Sequence, residues 1–399
     1  MKLEVTDTAR DGAGIARAQD GRVVFVEGAL PGEVVEASVV RKEKRWSRAR
    51  LQQIVEASPH RVEISCRHRI EGCGGCDLLH VDRDHQASMK AGMVADQLRR
   101  AEVAFPEATL RTLLGDTGRT TVRTAVRGGQ AGYRAGGSQE VVVPRSCTAI
   151  DPAAEELLLD GRFGDASEVT IRVGSRTGDR LVVLDGGNPE DVEVPDDVLV
   201  VSIEELDAGL RAWIYEEAAG RRWRISARSF FQNRPAGVDA LVEVVDAMVA
   251  DLAPKRGISD LMVDAYAGIG IFAGTVGRNR TVTAVERSRD ALADAKVNLK
   301  DQIKAGTARI VPSAVERWRP TPATVVVADP ARVGLGRHGT RTLLGCEPDL
   351  FVLVGCDHSA FARDAALLVA GGMKLVRVVV IDLFPDTSHV ETLGGFVRT

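Results

Sequence analysis

Cys356 and Glu391 are the residues of this chain best suited to covalent chemistry. Cys356 lies in Leu353-Val354-Gly355-Cys356-Asp357-His358-Ser359, directly after an apolar run that reads as a buried strand. A thiolate is a strong nucleophile, and a place between a strand end and a helix N-terminus predicts a lowered thiol pKa. Glu391 lies in Phe384-Pro385-Asp386-Thr387-Ser388-His389-Val390-Glu391-Thr392 and supplies a carboxylate base. Upstream, Val263-Asp264-Ala265-Tyr266-Ala267-Gly268-Ile269-Gly270 is a glycine loop at a strand end. Open α/β sheets bind ligands at the carboxyl ends of their strands, and Gly268 and Gly270 let the backbone approach one. A thiol, a base and a nucleotide-type loop in one α/β half suggest covalent chemistry on a base.

The loop also bears on the cofactor. Glu286 ends the next strand, 22 residues after Asp264, where an acid suits ribose hydroxyls. The loop is not G-x-G-x-x-G, so the pattern favours S-adenosylmethionine over NAD. Asp329-Pro330-Ala331-Arg332 ends a further strand at the same crevice. There Asp329 can hydrogen-bond a cofactor or base, and Arg332 can hold a backbone or an acid. A separate set, Cys66-x6-Cys73-x2-Cys76 with a distant Cys147, offers four thiolates, enough for a zinc ion or an iron–sulfur cluster. The spacing alone does not choose between them. Cys346, in Leu343-Leu344-Gly345-Cys346-Glu347-Pro348, reads as a packing thiol at a helix end.

These groups need a scaffold. A chain of 399 residues predicts two or three domains, and 44% hydrophobic content is that of a soluble globular protein. No apolar run is long enough to span a membrane, and the first residues hold no secretory signal, which predicts a cytoplasmic protein without a membrane role. The net charge of −4 gives no global sign of nucleic-acid binding, which needs only a local basic face. No obligate protein partner is evident.

Residues 1–57 read as short strands around a Pro31-Gly32 turn, a small OB-like β-barrel. Its run 41–50 carries six basic residues and Trp46, a mix suited to phosphate neutralisation and stacking. Residues 58–228 read as a β-rich middle domain with a helix over 84–103. Arg119, Arg123, Arg127 and Arg134 there are either part of an RNA face or a scattered solvated set. In 229–399, Pro235 opens a helix, and strands are expected at 261–265, 281–285, 308–312, 324–328, 350–355, 375–382 and 390–397. Helices are expected between them at 270–277, 289–300, 338–345 and 359–370. The last two strands have no helix between them and should pair antiparallel. The fold class is therefore α/β, a class I methyltransferase Rossmann-like domain behind a barrel and a β-rich domain.

With these motifs in order along nearly the whole chain, the sequence resembles the RNA uridine-5-methyltransferase family. Ser229-Phe230-Phe231-Gln232-Asn233 is similar to its S-F-F-Q segment, residues 264–272 to its cofactor loop, and Ser388-His389-Val390-Glu391-Thr392 to its H-[VL]-E motif. The resemblance implies a TRAM domain at the start and a 4Fe–4S cluster on Cys66, Cys73, Cys76 and Cys147. It implies Cys356 as nucleophile and Glu391 as base. It assigns Gln232, Tyr266, Gly268, Gly270, Ile271, Glu286 and Asp329 to S-adenosylmethionine, and Phe230 and Arg332 to the substrate. The partner implied is RNA, ribosomal RNA ahead of transfer RNA. One departure stands out. The family's Ser-Cys-Asn-Pro is Gly355-Cys356-Asp357-His358 here, so a helix-opening proline is lost and Asp357 is set to raise the thiol pKa. Ala267 and Ile271 also replace a common Cys and Asn. A catalytically impaired RNA-binding protein on the same fold is the rival reading.

Overall fold

A computed structural model describes residues 1–113, 118–254 and 260–399. Period-two burial builds the first unit. Leu3 and Val5 in Lys2–Thr8, Val24 and Val26 in Val23–Glu27, and Val35 and Ala37 in Val34–Lys42 all point inward. With Gly14–Arg17 and Trp46–Glu56 these strands close into a five-stranded barrel. The basic run lies on its last two strands, where the Arg41 guanidinium sits 5.4 Å from the Trp46 ring centre. Arg48 is spent on Asp11 and Glu27, whereas Lys42, Lys44, Arg45 and Arg50 are exposed.

A six-stranded sheet follows, with Thr121–Arg127 and Glu168–Val173 at its centre and the helix Pro152–Asp160 packed on it through Leu157 and Leu158. Arg123 and Arg134 both bind Glu168, at 2.7 Å each, so these two arginines tie the sheet together.

The third unit is an eight-stranded sheet. Its order is Ala308–Pro312, Thr281–Glu286, Leu261–Ala265, Val325–Ala328, Leu350–Gly355, Glu391–Arg398, Met373–Asp382 and Thr109–Thr112. Only Glu391–Arg398 runs against its neighbours. Runs such as Val325-Val326-Val327-Ala328 are wholly buried because helices cover both faces, as parallel sheets require. Pro235–Leu252 lies on one face through Leu241, Val245 and Met248. His358–Ala370 lies on the other through Phe361 and Leu368. No helix among the described residues is long and apolar enough to cross a membrane.

The positions of the strands along the chain and the reversed terminal strand agree with the expectation, but three details differ. Thr109–Thr112, ahead of the middle sheet in the chain, is the eighth strand of the catalytic sheet. The helix over 270–277 shrinks to Ile271–Gly274, where the Arg221 guanidinium donates to the Gly274 carbonyl. The helix over 289–300 ends at Asn298, whose amide donates to the carbonyls of Arg224 and Ile269 at 3.1 and 3.0 Å.

The helix Arg83–Arg100 packs on the catalytic sheet as well, and Asp82 caps its start. Its Lys90 is fully buried and donates to Asp382 at 2.6 Å and to the Phe384 carbonyl at 2.9 Å. Removing one partner of such a pair strands a charge in the core and typically costs ~3–5 kcal/mol. Asp382→Ala should therefore lower denaturant stability by about that much, and Lys90→Met with Asp382→Leu should recover most of it. Equal losses in both variants would mean that the packing, not the ion pair, matters here.

Candidate active site

The cofactor loop is held by its own acids. Asp264 is buried and accepts the Ala273 N–H at 2.8 Å, which closes the loop onto the short helix at Ile271. Tyr266, Gly268 and Gly270 all adopt left-handed conformations, with φ of 59°, 55° and 92°. For tyrosine this is costly, and it persists only because the surroundings impose it. The Tyr266 hydroxyl donates to Glu316 at 2.8 Å. Glu286 accepts three backbone N–H groups, from Gly268, Arg287 and Ser288, at 2.9, 2.7 and 2.6 Å.

A second loop brings Phe230 and Gln232. Arg172 donates to the Ser226 and Ser229 carbonyls at 3.0 and 2.8 Å, and the Ser229 hydroxyl donates to Asp294 at 2.6 Å. These anchors leave Phe231 buried, Gln232 half-buried and Phe230 presented to solvent at 68% exposure.

Sheet register places the reactive pair. Gly355 pairs with Thr392, so Cys356 and Glu391 flank that position on adjacent antiparallel strands. Ala328 pairs with Leu353 on one side and Ala265 on the other, which sets Asp329 between the reactive pair and the cofactor loop. Asp329 is half-buried, and burial pushes its carboxyl up to about 7. Asp264 is also pushed up to about 7, by burial first and then by the charges of Asp329 and Glu286. Glu391 is fully buried, and neither carboxyl oxygen has a hydrogen-bond partner among the described residues. Burial, with the Asp329 charge added, holds its pKa well above the usual range, which favours the neutral carboxyl. Buried polar groups are nearly always paired, and an exception at a strand end beside a thiol needs an explanation.

Two expectations about the thiol are corrected. Its pKa does not fall. Burial, then Glu391 and Asp329, push Cys356 up to about 11, and the nearby Arg332 only partly opposes them. Asp357 is not the cause. Its carboxylate accepts the Ala360 N–H at 2.9 Å and pairs with Arg10 of the barrel at 3.0 Å. It thus caps the helix His358–Ala370, a start that the absent proline would otherwise set. Arg332 is exposed and lies 3.4 Å from Nδ1 of His389, the histidine of the H-[VL]-E motif, to which the sequence alone gave no role.

The four expected metal ligands lie around the edge of the middle sheet, all as free thiols. Cys73 bridges to Ala135, and Cys147 lies 3.9 Å from the Tyr133 hydroxyl. Burial raises the thiols of Cys73 and Cys76, the latter to about 11, and the charge of Cys147 bears on both. Among the described residues, no three His, Cys, Asp or Glu side chains close into a metal-holding group. Cys346 is fully buried in the core, as expected of a packing thiol.

A glycine loop, an acid at the next strand end and a reversed last strand define a class I methyltransferase fold. Residues 1–51 match the TRAM domain model. An uncharacterized RNA methyltransferase of Streptomyces avermitilis is 33% identical over 98% of this chain and 97% of its own. The 23S rRNA (uracil(1939)-C(5))-methyltransferase of Halomonas elongata is 32% identical over 98% of this chain and 88% of its own. The tRNA (uracil-54, C5)-methyltransferase of Pyrococcus abyssi, solved with S-adenosyl-L-homocysteine, superposes with a TM-score of 0.77 over all of both chains, at 21% identity. The chain belongs to the RNA uracil-5-methyltransferase family, and its methyl donor is S-adenosylmethionine.

The acid cluster has a thermodynamic signature. Asp329 is raised from an ordinary 3.8 to about 7, so the native state holds a proton that the unfolded chain has lost between those values. Its contribution to ligand-free stability therefore drops as pH rises from about 4 through about 7. Asp329→Asn should melt a few degrees above the parent at pH 8, and the offset should shrink steadily as pH falls toward about 4. The same offset at both pH values would mean that Asp329 is already ionised in the folded protein.

Proposed function

We propose that this protein methylates carbon 5 of a uridine in RNA through a covalent adduct between Cys356 and carbon 6 of the base. The observation that carries this reading is the Glu391 carboxyl, buried beside Cys356 with both oxygens unpartnered. Such a group is suited to a proton that only a bound substrate brings.

The cofactor residues fit. Three N–H groups hold the Glu286 carboxylate and leave it capacity for a ribose hydroxyl, and the left-handed loop at Tyr266, Gly268 and Gly270 opens backbone toward the crevice. Gln232, Ile271 and Asp329 complete the set. When bound, S-adenosylmethionine supplies an electrophilic methyl group for carbon 5 and a positive charge that favours ionised carboxyls beside it.

The chain does the rest. The target uridine must leave its stack, and the exposed ring of Phe230 offers it a new stacking face, with Arg332 at the mouth. Asp329, near neutrality, takes the thiol proton as the sulfur bonds to carbon 6. The electron pair of the carbon 5–carbon 6 double bond moves onto carbon 5 and its neighbouring carbonyl, which makes carbon 5 nucleophilic. Glu391 gives its resting proton to solvent as the positive charge enters the site, and after methylation its carboxylate removes the carbon 5 proton. That C–H pair re-forms the double bond, the sulfur–carbon bond breaks, and Cys356 leaves as a thiolate. The Asp357 cap favours this active reading over that of an impaired RNA-binding protein.

Ribosomal RNA is the proposed substrate, with transfer RNA second. The Halomonas elongata relative, named for 23S rRNA, is nearer in sequence than the Pyrococcus abyssi protein named for tRNA. Cys66, Cys73, Cys76 and Cys147 are proposed to hold a 4Fe–4S cluster, because four free thiols gathered at one sheet edge suit thiolate ligation of iron.

Cys356→Ala should abolish methyl transfer from labelled cofactor while cofactor binding persists. Glu391→Gln should add and methylate but stall before elimination, leaving protein and RNA joined in denaturant. Cys346→Ala should stay active. Turnover by Cys356→Ala would sink the covalent route. Mapping 5-methyluridine in ribosomal and transfer RNA from a deletion strain decides the substrate. Anaerobically purified protein should be brown and contain iron, and Cys73→Ser should bleach it. A colourless protein with one stoichiometric zinc would overturn the cluster assignment.

A further inference from the structure

We infer that Asp77, the residue after Cys76, is a positioning residue for Glu391, so that the cysteine loop governs the proton-removal half of the reaction. The inference rests on the base role proposed above.

The Glu391 backbone pairs with Ile381 at the first position of its strand, but its carboxyl has no hydrogen-bond partner among the described residues. Its direction is therefore set by that backbone and by the packing around it. That backbone arrives from residues 383–390, which join Met373–Asp382 to Glu391–Arg398. A tight hairpin would set the strand start through its turn geometry, but a connection of this length does not.

The cysteine loop adds a second constraint to that pairing. Ser388 is buried three residues before Glu391, and its N–H and hydroxyl donate to the two Asp77 oxygens at 2.8 and 2.7 Å. In return, the N–H groups of Asp77 and Leu78 both donate to the Asp386 carbonyl, at 3.0 Å each. Asp386 holds a left-handed φ of 65°. The helix Arg83–Arg100 secures its other side, with Arg83 2.6 Å from its carboxylate and Gln86 accepting its N–H at 2.8 Å. Two consecutive residues behind Cys76 thus make four hydrogen bonds to the segment that delivers the base. Cys76 lies close enough to Asp386 for that carboxylate to bear on its thiol.

The nucleophile is placed independently. Cys356 follows a fully paired central strand and precedes a helix capped by Asp357. Loosening the cysteine loop should therefore misplace Glu391 and leave Cys356 in position. A general loss of structure would slow every step instead.

The test uses full-length protein, unmodified RNA and labelled S-adenosylmethionine. Asp77→Ala should lower turnover at least about tenfold, the scale of losing hydrogen bonds to a charged group. Its rate of covalent adduct formation in a single turnover should stay within about threefold, a difference of less than 1 kcal/mol. A methylated protein–RNA adduct should then persist in denaturant, as with Glu391→Gln. Asp77→Asn keeps an oxygen for the Ser388 N–H and an amide to donate to its hydroxyl, and should recover most of the turnover. If adduct formation and turnover fall by the same factor, or if Asp77→Ala turns over normally, the inference fails. Should Asp77→Ala lose its melting transition, Ser388→Ala decides: adduct accumulation supports the clamp, and parental kinetics overturn it. Absence of an adduct with Glu391→Gln would instead defeat the proposed base role itself.

Discussion

The antiparallel strand Glu391–Arg398, inserted between two parallel ones, is the constraint on which the site depends. It places a carboxyl next to a thiol that ends the neighbouring strand, without any direct bond between the two. Because this strand lies well inside the sheet, its first residue is buried, and a carboxyl there is deprived of water and partners alike. The geometry and the electrostatics of the site are thus one fact. The register that brings Glu391 to Cys356 also raises both of their pKa values.

The resting site is accordingly biased toward its protonated forms. Thiol, glutamate and the two aspartates of the crevice all rise above their ordinary values, chiefly through burial. Crowded acids of this kind ionise more readily once something positive or hydrogen-bonding enters. A thiol at about 11 is poorly reactive toward adventitious oxidants or electrophiles, so the cluster protects the nucleophile while it waits.

Local patterns made much of this legible beforehand. Short strands around the Pro31-Gly32 turn marked the barrel, alternating strands and helices marked the catalytic sheet, and the absence of a helix between the last two strands marked their reversal. Glycine spacing and strand-end acids pointed to the crevice. What stayed hidden was long-range. Nothing local in Thr109–Thr112 says that it will pair with Met373–Asp382. Asp77 looks like any loop aspartate until Ser388 is seen against it. The helix N-terminus beside the thiol is visible in the sequence, whereas the burial that chiefly raises its pKa, and the carboxyls from two other strands that add to it, are set by the tertiary fold. Asp357, read as a disturbance, is a cap, a role visible only once its partners are known.

The eighth strand has a consequence for how the molecule can be cut. Thr109–Thr112 covers the outer edge of residues 379–382, the end of Met373–Asp382 that leads to the base, and Lys90 neutralises that strand's last carboxylate. Both come from chain that precedes the middle sheet. A C-terminal fragment starting near residue 229 would keep every catalytic group named here, yet it would expose an unpaired edge strand and leave Asp382 without its cation. Open edges recruit other chains. The catalytic half is therefore not a detachable module: its solubility depends on residues far upstream of its own first strand.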